Sequence, residues 1–167
     1  MANNVNKKER IALVPGSFDP FTVGHRAVVL KAAAAFDRVV VAVMINDAKK
    51  YMFSSEQRVE IARLSLADIP CVDVIYDAGM LVDLFDKVGA SAIVKGIRNA
   101  DDLEYENGMA EYNLARNSRA VTLYVPSDEE LACVSSTAVR SRNGNPEAFL
   151  EYLCDGARTF VGEIIGK

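Results

Sequence analysis

Residues 16–25 read Gly-Ser-Phe-Asp-Pro-Phe-Thr-Val-Gly-His, directly after an apolar run that ends at Pro15. These residue types suit a phosphate ligand. Gly16 lets the main chain turn sharply and come close to a bound group. Ser17 adds a hydroxyl and an N–H. Gly24 and His25 fall where the next helix must begin, and there the free N–H groups and the helix dipole favour an anion. His25 is the only histidine of the chain. A lone histidine is ordinarily a surface residue or a satisfied core residue, but its place straight after glycine at a strand–loop–helix junction reverses that expectation. Absent motifs narrow the chemistry. No GxGxxG follows the strand and no GxxxxGK[ST] occurs anywhere, nor does a GxSxG nucleophile elbow. What remains is a phosphate site without an obvious covalent nucleophile.

The elements that must position this loop can be read from periodicity. Short β-branched runs at Ile11–Val14, Arg38–Met44, Cys71–Ile75, Ala92–Val94 and Val121–Val125 alternate with helical stretches, the pattern of a parallel sheet covered by helices. Several runs are apolar throughout, as strands covered on both faces require. Val29, Ala32, Ala33 and Phe36 form one buried helical stripe, and Leu81, Leu84, Phe85 and Val88 form another. Ser54 with Gln57 is a capping box opening a helix to about Ala67. Further helices are expected over Ala100–Arg116 and after Ser136 and Pro146. The fold expected is therefore a single α/β domain, a doubly wound parallel sheet of Rossmann-like type over residues 1–167, with a core at 11–149 and a helical tail at 150–167. In such sheets ligands bind beyond the carboxyl ends of the strands.

Totals agree with this. A chain of 167 residues, half apolar and a quarter charged, is of globular composition. Its net charge of −4 argues against a general nucleic-acid binder, and no apolar run approaches the ~20 residues that span a bilayer. The first ten residues carry the charge of a signal peptide without its apolar stretch. Cys71, Cys133 and Cys154 are odd in number and scattered, so reduced thiols of a cytoplasmic protein are expected, with neither zinc nor a disulfide framework.

The segment Ser17-Phe18-Asp19-Pro20 followed by Thr22-Val23-Gly24-His25 resembles the [H/T]xGH signature of the nucleotidyltransferase superfamily, and Val134-Ser135-Ser136-Thr137, continuing to Arg140, resembles its second, ISSTxIR-type signature. Within the superfamily the chain is most similar to the bacterial phosphopantetheine adenylyltransferases. Lys49-Lys50-Tyr51-Met52-Phe53, Ser55-Glu56-Gln57-Arg58, Lys95-Gly96-Ile97-Arg98 and Asp102-Leu103-Glu104-Tyr105-Glu106 carry that closer likeness. It extends from about Ile11 to Phe149.

The resemblance implies transfer of AMP from ATP to 4′-phosphopantetheine, giving dephospho-coenzyme A and pyrophosphate, with Mg2+ accompanying ATP. It also implies roles. Ser17 and Phe18 lie near the α-phosphate and the acceptor, and His25 hydrogen-bonds the α-phosphate as charge builds. Lys49 holds the incoming phosphate, and Lys95 assists it. Gly96, Ile97 and Arg98 contact ATP, with Glu106 on the ribose or an associated group. Leu131, Ala132, Cys133, Val134, Ser135, Ser136 and Thr137 form the loop over the triphosphate, and Leu81 lines the pantetheine arm. His25, Lys49, Arg98 and Ser136 make up the implied catalytic set. For Leu81 periodicity alone says core, and for Ser135 and Ser136 plain helix capping is the simpler role, compatible with the other. Asp101, Asp102 and Glu104 read as a solvated helix start whose charge complements the dipole, not as a metal cluster. The family further implies a homohexamer inhibited by coenzyme A.

One position departs from the family pattern: Lys95 stands where arginine is usual, keeping the charge but losing the planar two-pronged donor. Three alternatives bear on the reading. A related transferase for nicotinamide mononucleotide or glycerol phosphate would lack the Lys49 and Lys95–Arg98 segments. A tRNA synthetase fragment would carry a basic surface. A non-catalytic nucleotide sensor would not retain His25, Lys49, Arg98 and Ser136 together.

Overall fold

The computed structural model describes residues 8–46 and 48–166. Five strands, β1 Ile11–Gly16, β2 Arg38–Met44, β3 Val72–Asp77, β4 Ala92–Ile97 and β5 Thr122–Pro126, form one sheet in the order β3-β2-β1-β4-β5. Every pairing is parallel. The connections are helical: α1 Val23–Ala35, α2 Ser55–Leu66, α3 Leu81–Lys87 and α4 Ala100–Arg116. After β5 come a 3-10 turn at Glu129–Leu131 and then α5 Ser136–Arg140, α6 Pro146–Leu150 and α7 Asp155–Ile165. This is the doubly wound α/β sheet expected from the sequence.

The central strands are apolar throughout because both faces are covered. Ala12 and Val14 of β1, with Val39, Val41 and Val43 of β2, point to the layer of α1, α2, α6 and α7. The alternate residues Ile11, Leu13, Val40 and Ala42 meet Val82, Leu84 and Phe85 of α3, as the two-residue period of a strand requires. α2 opens on the anticipated Ser54–Gln57 capping box, and α4 has the anticipated bounds. Four strands extend beyond the runs read from sequence, all at their carboxyl ends: β1 to Gly16, β3 to Asp77, β4 to Ile97 and β5 to Pro126. The tail joins the core. Leu153, Ala157 and Val161 are fully buried with Ile61 and Ala62 of α2, and Gly156 sits where any Cβ would collide with the Leu64 carbonyl.

The sheet carries one opening that matters for function. β1 pairs with β2 over six residues but with β4 only at Ala12–Leu13 against Ala92–Ile93. Beyond that point the two strands part. The chain winds outward in both directions from β1 and β4, so this gap is the switch point of the sheet, where α/β folds bind their ligands.

Candidate active site

The gap continues into a cleft of about 450 Å³, within the range of small-molecule sites. Val14, Pro15 and Gly16 of β1 form one wall and Val94, Lys95 and Gly96 of β4 the other. Both glycines are required by close packing. A Cβ on Gly16 would lie 2.7 Å from the Phe18 ring, and one on Gly96 would lie 2.6 Å from a Val28 methyl of α1. Phe18 itself adopts φ 48, an uncommon conformation for a bulky residue that folds its ring back beneath the loop. The next peptide but one, Asp19–Pro20, is cis.

His25 is fixed by this loop. Thr22 caps α1, and His25 at the third helical position completes a capping box: the Thr22 N–H donates to His25 Nδ1 at 3.0 Å, and the His25 N–H donates to Thr22 Oγ1 at 3.4 Å. Phe18 and Phe21 flank the ring, with centroids 5.1 Å and 5.3 Å away. Burial, reinforced by the charges of Arg98 and Lys95, pushes the His25 pKa down to about 4. The imidazole is neutral at pH 7. Because Nδ1 accepts the Thr22 N–H, its single proton sits on Nε2, which makes the ring a hydrogen-bond donor.

The β4 side is built from paired charges. Lys95 Nζ lies 3.1 Å from Glu106 Oε1. Arg98 grips Asp102 with two donors, Nε at 2.7 Å and Nη2 at 2.9 Å. Asp102 and Glu106 are four residues apart on α4, so they share one face. Asn99 caps that helix by accepting the Asp102 N–H at 2.8 Å.

The third side comes from far along the chain. Ser135 caps α5, accepting the Ala138 N–H at 3.0 Å, while Ser136 Oγ donates to the Pro20 carbonyl at 2.9 Å. Capping and a place in the cleft thus coexist. A Cβ on Gly24 would stand 3.2 Å from the Val134 carbonyl, so the two signature segments touch through a glycine. Lys49 stands exposed at the rim.

The cleft therefore gathers Ser17, Phe18, His25, Lys49, Lys95, Gly96, Arg98, Glu106, Leu131, Val134, Ser135, Ser136 and Thr137. Ile97, Ala132 and Cys133 adjoin it without lining it, and Ala132 and Cys133 face solvent. Leu81 lies away from it, packed against the cluster beneath α3. Sequence reasoning passed over Asp19, Arg58, Asp102 and Arg140. Arg58 is fully buried yet sits in a helix whose spacing marks only Val59, Ile61, Ala62 and Leu66 as core. Glu106, which the resemblance assigns to the nucleotide, is in the structure the counter-ion of Lys95. Among the described residues no three His, Cys, Asp or Glu side chains gather as a metal site, and the three cysteines are free.

A sequence model described as cytidylyltransferase-like matches residues 13–142. Phosphopantetheine adenylyltransferases align over most of the chain. That of Staphylococcus carnosus is 39% identical over 159 residues, covering 95% of this chain and 99% of its own. That of Cutibacterium acnes is 41% identical, covering 87% and 94%, and that of Caldanaerobacter subterraneus is 41% identical, covering 78% and 82%. A bifunctional NMN adenylyltransferase/ADP ribose pyrophosphatase from Francisella tularensis superposes with a TM-score of 0.72 at 18% identity, over 95% of this chain and half of that one. At that identity the likeness establishes the fold.

Proposed function

The chain belongs to the phosphopantetheine adenylyltransferase family, of cytidylyltransferase-like fold, and we infer from its cleft how its residues divide the work. It transfers the adenylyl group of ATP to 4′-phosphopantetheine, giving dephospho-coenzyme A and pyrophosphate, a step of coenzyme A synthesis. The observation that carries the division is the neutral, Nε2-protonated His25 facing Lys95 and Arg98 across the β1–β4 gap.

A phosphate monoester has a second pKa near ~6, so the attacking oxygen is already largely anionic at neutral pH. No general base is needed, and His25 with its proton on Nε2 would make a poor one. The barrier lies in bringing two polyanions together and in stabilising charge on the α-phosphate. His25 Nε2 donates to an α-phosphate oxygen as that charge grows, and Ser17 adds donors nearby. Lys49 and Lys95 hold the acceptor phosphate. Arg98, Gly96 and Ile97 take ATP from the β4 side, with Glu106 toward the ribose. The loop from Leu131 to Thr137 covers the triphosphate, and Leu81 falls to the distal part of the acceptor arm. The displacement is in line and without a covalent intermediate.

Mg2+ would travel with ATP, its ligands drawn chiefly from phosphate oxygens and water, and it would neutralise the triphosphate. Coenzyme A, which shares the acceptor arm, would compete at the same site. A homohexamer is supported by apolar side chains left exposed on α4 and around β5, among them Leu103, Met109, Tyr112, Val121 and Leu123. A cytoplasmic setting fits the free thiols. The decisive experiment measures pyrophosphate release from ATP with 4′-phosphopantetheine, nicotinamide mononucleotide or glycerol phosphate. Turnover with the first alone is expected. A preference for either of the others overturns the acceptor assignment, and no release with any overturns the reaction.

A further inference from the structure

Lys49 is exposed on the connection between β2 and α2. A flexible four-carbon side chain on a loose segment would place a phosphate poorly. The segment's far end, just past Lys49, is tied down by a carboxylate from another loop. Asp19 is 2% exposed, and its two carboxylate oxygens accept the N–H groups of Met52 and Phe53, each at 2.9 Å. Both donors follow Lys49 within four residues. The Tyr51 hydroxyl closes the near end of the same segment, accepting the Asn46 N–H at 2.5 Å and donating to the Asn46 carbonyl at 3.2 Å. Beneath it the Arg58 guanidinium lies 4.0 Å from the centre of the Tyr51 ring and donates to the Ser17 carbonyl at 2.6 Å.

Asp19 is equally tied to the rest of the site. It lies between Phe18, whose ring packs under Gly16, and Pro20, whose carbonyl accepts from Ser136. Arg140 of α5 donates to the Asp19 carbonyl at 2.6 Å and stands 3.8 Å from its carboxylate. One residue therefore joins the loop that holds His25, the segment that carries Lys49 and the helix that follows Ser136.

We propose that Asp19 is the positioning residue for the acceptor phosphate, its buried carboxylate registering the Lys49 segment against the His25 loop. Its carboxylate is spent on the Met52 and Phe53 amides and acts through Lys49, so the inference rests on the reading that Lys49 holds the acceptor. An amide at position 19 keeps the shape but has one acceptor oxygen where two are needed, and its NH2 meets an N–H donor.

Steady-state kinetics on Asp19→Asn, Lys49→Ala and the double variant test this, together with ATP affinity by calorimetry. Asp19→Asn is expected to raise KM for 4′-phosphopantetheine about tenfold and lower kcat, with ATP affinity within about threefold of the parent. In the Lys49→Ala background the same substitution should add little, because the group it positions is gone. Full additivity, or equal losses for ATP and acceptor, overturns the inference. A Lys49→Ala enzyme with unchanged acceptor KM overturns instead the reading beneath it. Tyr51→Phe loosens the same segment without touching the buried carboxylate. It should raise acceptor KM a few-fold at constant ATP affinity, so the idea stays testable if Asp19→Asn does not fold, and an unchanged acceptor KM in Tyr51→Phe counts against it.

Discussion

The two walls of the cleft are made differently. The β1–α1 wall is held by packing: Gly16, Phe18, Phe21, Thr22 and His25 lock one another by packing and hydrogen bonds, and the functional proton on Nε2 is fixed by a backbone N–H. The β4–α4 wall is charged and partly solvated. Lys95 and Arg98 are held by Glu106 and Asp102, with roughly a quarter and a third of the two basic side chains exposed. The first wall is shaped for a transition state before any ligand arrives. In the second, the carboxylates keep two cations in place until phosphates compete for them. Preorganisation and charge supply are thus assigned to different strands.

The contrast can be broken most sharply at His25. His25→Ala should lower kcat by about 10²–10³, the usual effect of removing one transition-state donor, with little change in either KM. Pyrophosphate release measures it, and a loss confined to KM would move His25 into ground-state binding. Acid tests the same wall. With the folded pKa depressed to about 4 against about 6.5 unfolded, the unfolded chain binds the proton first as pH falls. The stability tied to neutral His25 is complete above pH 6.5 and is lost as pH drops through 4. It amounts to at most about 3 kcal/mol. Denaturant titrations of the parent and His25→Gln should diverge over that window, and parallel pH profiles would contradict the burial of a neutral ring. Gly16→Ala puts a methyl into the Phe18 ring and should cost about 1–3 kcal/mol of stability by overpacking, read as a lower urea midpoint together with slower turnover.

The smallest effect belongs to the charged wall. Asp102→Asn releases Arg98 from an ion pair worth at most about 1 kcal/mol. It should lower KM for ATP and kcat together by a few-fold, as a freer cation binds the ground state better and the transition state less well. That effect should shrink in high salt, whereas the His25→Ala defect should not. Equal salt dependence of the two would dissolve the distinction between the walls.

Much of this was readable from residue order. Alternation in β1 and β2 gives the two-faced sheet, the Ser54–Gln57 pair marks the start of α2, and glycine before His25 marks the phosphate loop. Periodicity and capping are local, so a single sequence displays them. What could not be read is non-local. The parting of β1 from β4 after Leu13 depends on register, which no residue type announces. Asp19 resembles any loop aspartate until the Met52 and Phe53 amides come to meet it from more than thirty residues away. Arg58 reads as a solvated helix position because its partners are main-chain carbonyls of other strands and loops. α4 misleads in the opposite way: its apolar residues suggest burial, yet Asn113 alone is buried.

The contact of α7 with α2, and of the turn before α7 with α1, also bears on how the protein is made. The Val23 N–H at the start of α1 donates to the Tyr152 carbonyl at 3.0 Å, and α7 seals the α1–α2 layer through Ala157 and Val161. On a ribosome the N-terminal segments emerge first, so β1, α1 and His25 are outside the exit tunnel long before their last partner. The nascent chain must wait with that layer uncovered, an interval in which a chaperone would find it. Catalytic competence then waits until residues 152–161 come free, Tyr152 to meet the start of the helix that bears His25 and α7 to cover α2 beside it.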